Sequence, residues 1–169
     1  MFFKWKKKKS QDKILEAFAE AFRESTQKAN EIGPILLAKQ RPEQADFGLC
    51  ATNPIFTSSL AGTEQYLSKL CTKDGKKFTW SPYISVQATI DEYTDIGEDK
   101  YTLFLDGKEY TDLYFILYLG ESTFPPAGLY FSDDSTDWDL EREALSKGIS
   151  AYQLREQRRK EKAEQELLA

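Results

Sequence analysis

The stretch from Tyr101 to Leu119, YTLFLDGKEYTDLYFILYL, constrains the fold more than any other part of the chain. Two runs rich in Tyr, Phe, Leu and Ile flank Asp106-Gly107, a strong short-range hairpin signal. The spacing predicts two antiparallel strands folded back on that turn. Along the second strand Tyr110, Tyr114, Ile116 and Tyr118 fall on one face, and Leu113, Phe115, Leu117 and Leu119 on the other. A strand apolar on both faces needs cover on both, which predicts a central place in its sheet. The register stays open, because two-residue and three-residue loops both leave some apolar side chains opposite polar ones.

Four segments follow from the rest of the chain. Residues 1–11 begin MFFKWKKKK, a basic and aromatic tail too short to span a bilayer. Residues 12–40 read as helical: Ile14, Phe18, Phe22, Thr26 and Ala29 recur near every fourth residue, with Leu15 widening the stripe and Glu16, Glu20 and Glu24 on the wet side. Gly33-Pro34 is predicted to interrupt this helix, with Pro34 opening a short second one closed by Arg41-Pro42.

Residues 41–148 form the main domain, reached through a linker at 41–53. Its predicted elements are an extended Ile55–Thr57, a helix over 63–70 capped by Thr63, and a Lys73-Asp74-Gly75-Lys76 turn. A strand over 78–81 follows, limited by Pro82, then a β-stretch over 83–94 and a polar turn at 97–100 leading into the central hairpin. Beyond the loop at Pro125-Pro126, a helix runs through Trp138, Leu140 and Leu145 to Gly148, capped by Ser135 or Thr136. Residues 149–169 make a charged C-terminal helix with pairs such as Glu156 and Lys160. The fold class is therefore α+β, with an antiparallel sheet of four or five strands and helices at both ends as its cover.

The succession ATNPIF, GTEQYLSKLCTKDGKKFTW, YTLFLDGKEYTDLYFILY and PPAGL resembles a group of small bacterial single-domain proteins of unknown function. The shared features are an Asn-Pro opening, a Tyr-Leu-x-x-Leu segment before an Asp-Gly turn, and a Leu-Tyr-Phe strand before a Pro-Gly loop. The resemblance covers residues 46–131. It implies one compact domain and transfers no activity.

Composition removes several kinds of chemistry. Histidine is absent, which excludes Ser-His and Cys-His nucleophile pairs and the commonest transition-metal ligand. Cys50 and Cys71 are too few for a Cys-rich zinc site. No secretory signal is read, since Glu16 and Glu20 break the apolar run after the lysines, so the expected location is cytoplasmic, with both thiols reduced.

Residues 1–13 carry six lysines against Asp12, net +5; residues 14–149 carry 12 basic and 23 acidic groups, net −11. An acidic body disfavours nucleic acid. The cluster Asp133, Asp134, Asp137, Asp139, Glu141 and Glu143 fails the calcium-loop template: Trp138 stands where the glycine belongs and Ala144 where the bidentate glutamate belongs. Helix capping explains it better. Lys73, Lys76 and Lys77 lie near Cys71, but no histidine is present to make a nucleophile pair. Glycines occur singly, in no phosphate-cradling pattern. No catalytic residue, metal site or cofactor is expected.

Two groups of residues are left as candidate sites. Tyr110, Tyr114 and Tyr118 would make an aromatic platform if one sheet face is uncovered. Phe2, Phe3, Lys4, Trp5, Lys6, Lys7, Lys8 and Lys9 combine interfacial aromatics with cations suited to an anionic membrane surface. The expectation is a non-enzymatic cytoplasmic interaction protein with an unidentified protein partner, tethered at the inner membrane surface by its tail. The alternative is a small enzyme or ligand-binding domain using the aromatic sheet face with nearby carboxylates drawn from Asp91, Glu92, Asp95, Asp106, Asp112 and Glu121.

Overall fold

The computed structural model describes residues 2–90, 93–132, 136–149 and 151–168, with the backbone alone for residues 2–12 and a few positions elsewhere. The chain divides into two compact units, Met1–Lys39 and Gln40–Ala169.

The first unit is one helix, α1 (Phe2–Lys39). The expected break at Gly33-Pro34 does not occur, and residues 2–11 are helical rather than a separate tail. Proline at position 34 lacks the N–H that would bond the Asn30 carbonyl, so one rung is missing while the turns on either side persist.

The second unit holds β1 (Ile55–Thr57), α2 (Leu60–Lys69), β2 (Leu70–Cys71), β3 (Thr79–Trp80), β4 (Ile84–Ile90), β5 (Tyr93–Leu105), β6 (Lys108–Leu117), β7 (Tyr130–Phe131), α3 (Trp138–Ser146) and α4 (Ala151–Leu168). The fold is α+β. Five strands make a mixed, mostly antiparallel sheet in the order β1-β6-β5-β3, with β4 pairing β5 further along its length. Among the described residues the one parallel pair is β1 with β6. A small second sheet pairs β2 with β7.

The central hairpin folds as its sequence predicts. Leu105 pairs Lys108 across Asp106-Gly107, whose φ values of 52° and 77° are both positive, as a two-residue primed turn requires. The register then slips: Phe104 pairs Glu109 but Leu103 pairs Thr111, so Tyr110 is an extra, bulged residue. Beyond the bulge β6 is flanked by β5 on one side and β1 on the other. Leu113 and Phe115 are fully buried on one face and Ile116 is buried on the other, which is the two-sided burial expected of a central strand.

The core lies between one sheet face and α2, with Trp138 of α3 closing it. Ile55, Tyr66, Leu67, Tyr101, Leu103, Leu113 and Phe115 form a continuous cluster. The rings of Tyr66 and Tyr101 meet Phe115 edge-on at 5.7 and 5.5 Å, the geometry that aromatic quadrupoles favour.

Helix α2 starts three residues earlier than expected. Ser59 caps it by accepting from the Gly62 N–H, while Thr63 is buried and shares a 2.7 Å hydrogen bond with the Thr57 hydroxyl. The predicted turn at 97–100 lies inside β5, where Gln87 pairs Gly97 and Val86 pairs Glu98. Pairing of β4 with β5 instead continues past Gly97 to Ile90 with Tyr93; Asp91 and Glu92 lie outside the described residues. Gly97 misled because glycine in a polar run reads as a turn, whereas here it sits in a long hairpin arm.

Residues 41–53 are folded rather than an open linker. The Asn53 amide donates to Arg41 O and to Asp46 Oδ1, and its oxygen accepts from the Arg41 N–H. That closes a compact loop which drives Phe47 fully into the core. Gly48, at φ +74°, lies so close to Ile55 that a Cβ there would sit 2.8 Å from Ile55 Cδ1. Its carbonyl accepts from the Tyr114 N–H at 3.0 Å. From α3, Arg142 donates to the carbonyls of Pro42 and Pro125 at 2.6 and 2.9 Å, tying both ends of the unit together.

Candidate functional site

On α1, four-residue steps place Ile14, Phe18 and Phe22 on one side of the helix, with Leu15 beside them. Glu16, Glu20 and Glu24 lie half a turn away. Ile14, Leu15 and Phe18 are 53, 65 and 71% exposed. Helical backbone from Phe2 carries Lys4, Lys6, Lys7, Lys8 and Lys9 in about two turns ahead of this stripe. The side chains of residues 2–9 lie outside the described residues. The first unit holds nine basic and five acidic groups, net +4; the second holds 14 and 23, net −9. Among the described residues no helix is long and apolar enough to cross a membrane.

The three tyrosines of the expected platform are not brought into one row. Tyr110 occupies the bulge, with its ring 5.0 Å from that of Phe78 in the core cluster. Tyr114 pairs Lys100 on the opposite face from Leu113 and Phe115. Tyr118 has left the strand at φ 69° and is largely exposed. An even spacing in sequence is a common face only while the pleat is unbroken, and here the bulge and the strand end each break it.

A cavity of about 410 Å³ opens on the second unit, walled by Phe56, Tyr66, Phe131 and Trp138. Lys69, Glu121 and Arg158 supply its charged lining. Arg158 lies 5.2 Å over the Trp138 ring and bonds Glu141 at 2.8 Å, so α4 contributes a cation already balanced by α3. The volume falls in the range that small molecules occupy. Trp138 Nε1 and Glu141 Oε2 are buried without a hydrogen-bond partner among the described residues. Sequence reading missed this group because Arg158 belonged to a run of mixed charge in which nothing singled it out.

The acidic cluster takes structural roles where it is described. Asp137 caps α3 by accepting from the N–H groups of Asp139 and Leu140, in place of the expected Ser135 or Thr136. Asp139 bonds Lys73 and the Tyr130 hydroxyl. Asp133, Asp134 and Ser135 lie outside the described residues, as do Asp91, Glu92 and the Asp95 side chain. Among the described residues no three acidic or thiol side chains gather as metal ligands would. Cys50 and Cys71 are free thiols, the second buried with its sulfur against the Tyr130 carbonyl.

Glu98 is a second charged group that sequence reading missed. It is 2% exposed, and neither carboxyl oxygen has a hydrogen-bond partner among the described residues. Burial pushes its pKa up to about 8. The cation two residues on, Lys100, is engaged by Asp112 at 3.0 Å. Compared with models of protein families, with curated proteins and with solved structures, the chain matches none of them.

Proposed function

We propose that this chain is a non-enzymatic interaction protein of the cytoplasm, held at an anionic membrane surface by the first half of α1. The observation that carries the reading is the exposed stripe of Ile14, Leu15 and Phe18 on a helix whose first turns hold five lysines. An amphipathic helix of this composition lies in the interfacial plane, its apolar side chains among the acyl chains and its cations among the head groups. Near such a surface each lysine contributes on the order of 1 kcal/mol, and by helical spacing position 3, a phenylalanine, falls on the side of Ile14. Glu16, Glu20 and Glu24 do not oppose this, because their side of the helix faces water. The second unit, at net −9, is repelled by anionic lipid and stays in solution for a protein partner.

Co-sedimentation of the full chain with anionic and with neutral vesicles tests the reading. Binding is expected with anionic vesicles alone, weakened by salt, and lowered at least tenfold when Lys4, Lys6, Lys7, Lys8 and Lys9 are all replaced by alanine. Equal pelleting of the two chains, or binding indifferent to salt, refutes the electrostatic tether.

A further inference from the structure

We propose that β4 is a self-pairing strand: its outer edge adds antiparallel to the same edge of a second copy, about a two-fold axis beside Gln87. The inference rests on the second unit and is independent of the role given to α1. β4 pairs β5 along one side only, and among the described residues no strand pairs its other side. In an antiparallel strand alternate residues send their N–H and C=O groups outward, so that side carries an open row of donors and acceptors.

Two other borders of the sheet are guarded. Phe56 of β1 donates its N–H to Ser122 Oγ and accepts from the Ser122 N–H, both at 2.8 Å. β3 is two residues long and is followed closely by Pro82. β4 has neither protection. Its seven residues, ISVQATI, include no charge, no proline and no glycine, and they are rich in β-branched side chains. The irregularity after Ala88 puts the extra residue on β5, so β4 keeps its own alternation.

The occupant follows from the order of those seven residues. Paired antiparallel with itself about Gln87, the strand sets Ile84 opposite Ile90, Ser85 opposite Thr89 and Val86 opposite Ala88. Apolar side chains meet apolar ones on one face, and hydroxyls meet hydroxyls on the other. Ile84, 58% exposed in the single chain, gains an isoleucine neighbour from the second copy. The contact is isologous and closes at two chains, as a two-fold interface must.

Gln87 is exposed and sits opposite itself across the axis, so it controls the interface without disturbing the single chain. Sedimentation equilibrium of the full chain from about 1 to 100 µM is expected to show a monomer–dimer equilibrium. Gln87→Lys and Gln87→Glu, each placing like charges face to face, should weaken it roughly tenfold while leaving the melting temperature of the monomer unchanged. Mixing the two variants should restore a heterodimer, which a merely structural effect of either substitution would not do. A wild-type chain that stays monomeric to 100 µM overturns the proposal. So does a dimer indifferent to both substitutions, which would place the seam elsewhere, or a mixture that fails to recover.

Discussion

Replacing Glu98 by glutamine should abolish a pH dependence of stability that the wild-type chain carries through the neutral range. The carboxyl ordinarily titrates near 4.5 and is pushed up to about 8 in the folded protein by burial. Between those values the folded state keeps a proton that the unfolded state has released, so stability falls as pH rises. The slope is about 1.4 kcal/mol per pH unit, so moving from pH 5 to pH 7 costs about 3 kcal/mol, and the loss levels off above pH 8. Glutamine keeps the shape and does not titrate; the protonated carboxyl is unpaired too, so only the additional N–H of the amide counts against the variant, at about 1–3 kcal/mol at every pH. The two stability curves should therefore cross, with wild type ahead near pH 5 and the variant ahead near pH 8. Asp74 and Asp112 are held below the usual carboxylate range by the hydroxyls of Thr72 and Thr102, so their effect is lost only in stronger acid. Asp99 is raised by its burial in both chains and cancels in the comparison. Urea midpoints followed by tryptophan fluorescence at pH 5, 6, 7 and 8 measure the difference. Parallel curves for the two chains would show that Glu98 is not the buried proton carrier described here.

Two further substitutions probe the packing. Phe115→Ala removes a fully buried ring at the junction of Tyr66, Tyr101 and Ile55, and should cost about 3–5 kcal/mol; a urea midpoint shifted by less than the equivalent of ~1 kcal/mol contradicts that placement. Gly48→Ala combines positive φ with a Cβ 2.8 Å from Ile55 Cδ1, so a loss of about 2–3 kcal/mol is expected in the same assay; neutrality would mean the loop relaxes away from β1.

The hairpin was legible because its signals are local: the Asp106-Gly107 turn and the two-sided apolar run of 113–117 speak for themselves. Its register was not, since the slip at Tyr110 is an event of packing against Phe78, 32 positions earlier in the chain. Gly97 and Pro34 show the opposite failure, where a strong local punctuator is overridden by the element around it. Asn53 was visible as part of an Asn-Pro pair, yet its task of closing a loop back to Arg41 exists only once the chain has folded. Glu98 gave no signal, because burial is a property of neighbours and a lone glutamate in a polar run predicts solvent. The exposed stripe of α1 was legible as amphipathic, but whether a stripe is covered or bare is a tertiary fact.

The parallel pairing of β1 with β6 has a consequence for how the protein is made. Residues 55–57 leave the ribosome about 60 residues before 115–117, their ladder partners. The clamp from Arg142 to Pro42 spans 100 residues. A β4–β5–β6 meander and α1 need only their own neighbourhoods, so they can form while synthesis continues. The apolar Ile55 and Phe56 have no slot until β6 exists, and the loop at Pro42, closed on itself by Asn53, gains its Arg142 clamp only when α3 is complete. Closing such long loops before any contact rewards them slows folding. The nascent chain is therefore obliged to carry a sticky, unpaired β1 while 60 further residues are added, which makes it a natural client for a holding chaperone.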